Sequence, residues 1–185
     1  MRLRLICFAF LVVDLVVLDV ILSFQDVSGW KLWKMMRDLD QRLKRISYIL
    51  DVFFANDEEV RMLTGELNLI TAGKRLLEKG PSLVVIKKGE HGALLLAKDF
   101  VFIVPAYPSE NVVDPTGAGD SFGGGFLGHL DKVHSYAEKD IRRAAVYGSV
   151  LASFTIERFG IDRLRSLSSE EIESRFTEFQ KLVSF

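Results

Sequence analysis

The sequence predicts an α/β fold with three layers: a mostly parallel sheet, helices on both faces, and a meander of strands. Three observations lead there. Short apolar, β-rich runs alternate with segments of helical period. Three of those runs, at 83–87, 93–97 and 100–104, are separated only by glycine and Lys-Asp turns, which reads as a meander. A glycine-rich stretch, 114–125, then leads straight into an apolar helical pattern. With 185 residues, 49% of them apolar, the chain can bury the core of one ordinary domain.

Residues 5–24 are almost wholly apolar and follow Arg2 and Arg4. One or two buried parallel strands explain such a run, because both faces of a parallel sheet are covered. A signal peptide or membrane span is the alternative, and a non-native start of the reading frame a third. Asp14 and Asp19 speak against a span, since an acid near the bilayer centre costs about 2.5–3.5 kcal/mol on insertion scales. From Asp26 to Ile46, Leu32, Met36, Leu39, Leu43 and Ile46 recur at helical spacing, which predicts an amphipathic helix with a basic wet face.

Asp51 to Ala55 reads as a short buried strand. Asn56 follows as an N-cap with Glu59 at the N3 position, the pattern of a capping box. Asn68 caps a second helix running to about Lys79, with Leu69, Ala72, Leu76 and Leu77 inward, and Gly80-Pro81 ends it. The meander follows, with Gly89 and Gly92 in its first turn and His91 between them. His91 has no second ligand at metal spacing and reads as a turn residue.

After a loop over 105–113 comes Asp114-Pro115-Thr116-Gly117-Ala118-Gly119-Asp120. Gly117 and Gly119 let the backbone turn tightly and approach a ligand. A turn opening a helix leaves its first N–H groups without intrahelical partners. Those groups and the helix dipole suit a phosphate. Asp120, in the first helical turn, points a carboxylate at the same place, as a general base would. The plainer reading is a capped loop with a glycine-rich packing face. Phe122, Phe126, Leu127 and Leu130 form the core face of the helix. Gly123, Gly124, Gly125 and Gly128 weaken it by about 1 kcal/mol each, so another element approaches closely. A longer helix over 140–157, rich in small residues, packs against it. Ser168 and Glu171 form a second capping box. The last helix carries Ile172, Phe176, Phe179 and Val183 on one face.

The 114–120 stretch resembles the C-terminal signature of the ribokinase-like, PfkB-type sugar and nucleoside kinases, Asp-Thr-x-Gly-Ala-Gly-Asp, with Pro115 in place of the usual Thr. The resemblance implies that Gly117, Ala118 and Gly119 form the anion hole for the transferred phosphoryl group. It makes Asp120 the base that activates the acceptor hydroxyl. Asn56-x-x-Glu59 resembles the Asn-x-x-Glu motif of these kinases, which implies a part in placing Mg²⁺, its waters and the phosphates, Glu59 acting through water. The Gly89-x-x-Gly92 turn would lie against the nucleotide, and Lys87 or Lys88 would face its phosphates or solvent. Asp114 and Thr116 belong to the same nucleotide site, and Ser149 and Ala152 are candidates for the adenine pocket. In members that use a monovalent cation, the Asp114 region and the 157–160 turn supply its ligands; no cation is assigned here.

The resemblance runs from about Val52 to Phe185, so the chain divides into 1–50, which matches poorly, and 51–185, the nucleotide-binding and catalytic part. The substrate and lid part of the family, with its Gly-Gly motif, is not recognisable. The implied activity is ATP-dependent phosphoryl transfer to a hydroxyl of a sugar or nucleoside, with ATP and Mg²⁺. A catalytically silent remnant and a membrane-anchored interaction protein are the competing readings. Lys+Arg 24 against Asp+Glu 25 gives a net charge of −1, which argues against a nucleic-acid partner. The single cysteine, Cys7, fits a cytoplasmic protein without disulfides. A homodimer is left open. No Gly-x4-Gly-Lys-Ser/Thr P-loop occurs, and no Gly-x-Gly-x-x-Gly opens an early βαβ unit.

Overall fold

The computed structural model describes residues 51–184. The expected strands within 5–24 and the helix over 26–46 lie outside them. The described residues form two compact units, 51–86 with Leu95–Val101, and Lys87–Leu94 with 102–184. Strands β1 (Val52–Asn56), β2 (Leu83–Lys87), β3 (Ala93–Ala97) and β4 (Val101–Val104) make a four-stranded sheet in the order β1-β2-β3-β4.

In the first unit, β1 is followed by α1 (Asp57–Thr64) and α2 (Leu69–Leu77). The Asp51 carbonyl accepts the N–H groups of Ser82 and Leu83, so β1 and β2 start side by side, as parallel strands joined by a helical crossover do. Asn68 caps α2 through Oδ1, which accepts from the N–H groups of Ile70 and Thr71. The helix stops at Leu77, two residues before the expected end; Ala72 and Leu76 are buried, while Leu69 and Leu77 are only half-buried. Gly73 is buried because a Cβ there would lie 2.6 Å from Leu96 Cδ1.

The meander is as the sequence predicts. A single 3₁₀ turn, Gly89–His91, joins β2 to β3, and Ala97 N–H bonds to Phe100 C=O at the next turn.

The second unit is built on α3 (Ala118–Val133), α4 (Glu138–Thr155), the short α5 (Asp162–Arg165) and α6 (Ser169–Val183). Phe122, Phe126 and Leu130 are buried on α3, and Leu127 is half-buried rather than core. The close approach expected from the glycines is reciprocal. A Cβ on Gly125 would lie 2.8 Å from Tyr147 O, and one on Gly148 the same distance from Phe122 O. Gly124 and Gly128 face open space instead. On α6, Phe176 and Phe179 are buried, and Ser168 and Glu171 form the expected capping box. Among the described residues no helix is long and apolar enough to cross a membrane.

Candidate active site

The glycine-rich turn opens α3 in the second unit. Asp114 Oδ1 accepts the Thr116 N–H at 3.0 Å, closing a small turn of the kind aspartates favour. That bond holds the Asp114 carboxyl below its usual range. Ala118 N–H bonds to Pro115 C=O, and Ser121 N–H to Gly117 C=O. Gly117 sits at the N-cap of α3 with φ +80, a left-handed conformation that glycine adopts without penalty. No side chain caps this end, in contrast to Asn56 on α1, Asn68 on α2 and Ser168 on α6. The Gly119 and Asp120 amides therefore lie in a first helical turn whose N–H groups have no carbonyl four residues back. Asp120 is exposed in that turn.

Lys87, the last residue of β2, reaches this turn. Its Nζ lies 2.8 Å from where a Cβ on Gly119 would stand, and its Cδ and Cε lie at 3.5 and 3.6 Å. Only a glycine leaves the ammonium that room. A cation and a helix N-terminus thus meet in one place, with the exposed Asp120 in the same helical turn. Together they can hold a phosphate and receive a proton from a hydroxyl beside it.

The other expected residues have structural duties that the structure makes explicit. Gly92, at φ +78, passes so close to the chain after β4 that a Cβ would lie 2.1 Å from Val104 O and 2.5 Å from Pro105 C. Gly89, at φ +55, is exposed with open space around it, and Lys88 N–H bonds to Gly92 C=O across the turn. Ser149 is buried on α4 and its hydroxyl donates to Pro105 C=O at 2.9 Å. In the first unit, Asn56 and Glu59 form the capping box in full. Asn56 N–H donates to Glu59 Oε2 at 2.7 Å, and Glu59 N–H to Asn56 Oδ1 at 2.8 Å. Glu59 Oε1 takes no part in that capping box. No cluster of three metal-ligating side chains exists among the described residues. A Mg²⁺ that takes one carboxylate and otherwise water and phosphate oxygens needs no such cluster.

The sequence reading missed a charged knot behind the turn. Glu157 follows the end of α4 and pairs with Arg163 at 3.0 Å and Arg175 at 2.6 Å. Arg163 also reaches Glu171 at 2.7 Å, and these carboxylates raise its pKa. Arg175 donates to Ser153 Oγ at 3.1 Å and lies 3.5 Å over the Phe154 ring. Just before Glu157, Ile156 C=O accepts the N–H groups of Val113 at 2.7 Å and Asp114 at 3.3 Å. Arg163 and Arg175 lie 6 and 18 residues beyond Glu157, so no local spacing announced the knot.

Comparison with known proteins decides the family. The family model described as pfkB family carbohydrate kinase matches residues 24–166, more than half of the chain. The chain belongs to the pfkB family. Among its curated relatives in that family, a cytidine kinase of Thermococcus kodakarensis is 42% identical over 93 residues, covering 49% of this chain and 32% of the relative. A nucleoside kinase of Methanothermobacter thermautotrophicus is 33% identical over 120 residues, covering 64% of this chain and 36% of the relative. The fold matches the aminoimidazole riboside kinase of Salmonella enterica, solved with aminoimidazole riboside and an ATP analogue. The TM-score is 0.68 at 23% identity, with 78% of this chain and 49% of that one covered. This pfkB chain thus spans about a third of the length of those two curated relatives.

Proposed function

We propose that this chain carries the nucleotide-phosphate site of an ATP-dependent kinase that phosphorylates a hydroxyl of a sugar or nucleoside. The observation that carries the reading is the Lys87 ammonium beside Gly119, at the uncapped N-terminus of α3. Family membership and the ATP analogue held by the Salmonella protein support it.

In this reading Asp120 accepts the proton of the acceptor hydroxyl as its oxygen attacks the γ-phosphorus of ATP. The bond from that phosphorus to the bridging oxygen breaks, and ADP leaves. The Gly117, Ala118 and Gly119 backbone and the Lys87 charge hold the equatorial oxygens, where the negative charge of the transition state lies. Mg²⁺, when bound, neutralises phosphate charge, and Asn56 and Glu59 are the residues proposed to organise its waters. Gly89, Gly92, Asp114 and Thr116 shape the same nucleotide site. Ser149 holds the loop after β4 in place through Pro105, a bond that a role beside the adenine would have to keep. A cytoplasmic location fits this chemistry and the single cysteine.

A second reading is a nucleotide-binding module without transfer of its own. Calorimetric titration with a non-hydrolysable ATP analogue and Mg²⁺, followed by an acceptor screen, separates the two. Saturable binding with transfer supports the kinase, and binding without transfer to any sugar or nucleoside supports the module. A folded chain that does not bind refutes both. Where transfer occurs, Asp120→Asn abolishes it and leaves nucleotide binding largely intact; unchanged turnover refutes the base assignment.

A further inference from the structure

We infer that the Glu157–Arg163–Arg175 knot is a positioning device that holds the phosphate-binding turn from behind. Arg175 on α6 and Arg163 on α5 grip the two oxygens of one carboxylate, Oε1 and Oε2 of Glu157. Their side chains are 19% and 15% exposed and that of Glu157 22%, so the pairs are shielded well beyond the surface norm. Arg175 is itself fixed by the Phe154 ring at 3.5 Å and Ser153 Oγ, and Arg163 by Glu171 and the same ring at 4.8 Å. Glu157 therefore has one position relative to the end of α4.

The neighbouring carbonyl, Ile156 C=O, accepts both the Val113 N–H and the Asp114 N–H. Those two residues enter the turn, and Asp114 in turn fixes Thr116 N–H. Thr155, buried at the same helix end with its hydroxyl on Leu151 C=O, puts Cγ2 3.9 Å from the Cβ position of Gly117. A shift of the helix end would move Asp114, and with it the amides of Gly117 to Gly119. The inference rests on the phosphate reading of the turn for its purpose, but not for its mechanics.

The test has two arms so that the two can fail separately. In the ligand-free chain, hydrogen exchange is followed at the Val113 and Asp114 amides. Arg175→Met keeps an apolar stem over Phe154 and removes the donors to Glu157 and Ser153. It is expected to speed exchange at both amides by about tenfold, the factor that about 1.4 kcal/mol represents. Glu157→Gln loosens the same link without touching α6 and is expected to act in the same direction, which covers the case in which Arg175→Met fails to fold. Arg175→Lys restores charge and a donor and is expected to recover part of the protection. Tyr147→Phe breaks a different α4–α6 tie, the bond to Glu173, and is expected to leave these two amides unchanged. Unchanged exchange in Glu157→Gln, or equal acceleration in Tyr147→Phe, overturns the inference, because the knot would then only staple helices. In the second arm the ATP analogue is titrated into the same variants. Weaker binding in step with faster exchange supports the positioning role. Faster exchange with undiminished binding means that the turn is held for some purpose other than phosphate.

Discussion

Replacing Gly119 with Ala separates the stability of the turn from its function. Gly119 is in the second position of α3, and its φ is not in the left-handed range, so alanine fits the backbone. Helix propensity favours the change by up to about 1 kcal/mol. The new Cβ, however, would stand 2.8 Å from Lys87 Nζ, where ordinary contact begins at 3.4 Å. The ammonium must withdraw by about 0.6 Å, and it can, being the far end of a flexible side chain. A charge-assisted bond of roughly 2.8 Å to a phosphate oxygen does not survive that displacement unaltered. Hydrogen bonds to charged groups contribute about 1.5–3 kcal/mol, so the ATP analogue should bind roughly 10- to 150-fold more weakly. Melting temperature and calorimetric affinity are measured on the same preparation. The expected result is an unchanged or higher melting temperature with weakened binding, and Lys87→Met should weaken binding by a similar factor. Undiminished affinity in both variants would refute the assignment of the cation to the phosphate site. A large fall in melting temperature for Gly119→Ala would refute the argument that only the Lys87 head has to move.

Two further predictions concern stability. Gly92→Ala asks for a left-handed alanine with its Cβ 2.1 Å from Val104 O, and neither the turn nor the strand backbone can yield cheaply. A loss above about 3 kcal/mol in denaturant unfolding, or no soluble protein, is expected; a loss below about 1 kcal/mol would show that the β3–β4 backbone adjusts freely. His129 on α3 stacks on Tyr147, which stacks on Phe176, and its Nε2 is buried without a hydrogen-bond partner among the described residues. Burial, then Arg143, hold its pKa below 6.5, with Lys132 adding to this and Asp140 and Glu173 opposing it. The unfolded chain therefore takes up a proton that the folded one resists, and stability should fall as pH drops below about 6.5. His129→Phe keeps a ring on Tyr147 and should flatten the melting temperature between pH 5 and pH 7; an unchanged slope would clear His129 of the effect.

Much of this architecture was legible because local chemistry specified it. Asn56 with Glu59, Asn68, and Ser168 with Glu171 announced three helix starts, and all three cap as their spacing requires. The meander was written in apolar runs of strand length between turn residues. Of the candidate site, the 114–120 stretch forms the turn that opens α3, and Lys87, one of two lysines the sequence offered, is the one beside Gly119. What stayed hidden depends on long separations. Lys87 and Gly119 are 32 residues apart, and the α5 turn with Arg163 carried no periodic signal of its own.

The glycines show where a sequence reading has to stop. Gly123, Gly124, Gly125 and Gly128 look alike in the sequence and were given one explanation, the approach of another element. For Gly125 it is right, and Gly148 on the facing helix completes it, each removing a Cβ that would strike the other helix's backbone. Gly124 and Gly128 have nothing within 4 Å of a Cβ and are exposed, so packing within the described residues does not account for them. Gly125, kept for contact, and Gly124 and Gly128, which only loosen α3, give the helix that carries Asp120 a tightly packed face and a weak one. An α3 held on one face against α4, and anchored at its N-terminal turn through Ile156, can take small adjustments of Asp120 without losing Phe122, Phe126 or Leu130 from the core. In the proposed reading of Asp120 as the base, that combination lets the carboxylate follow a hydroxyl through the transfer of its proton.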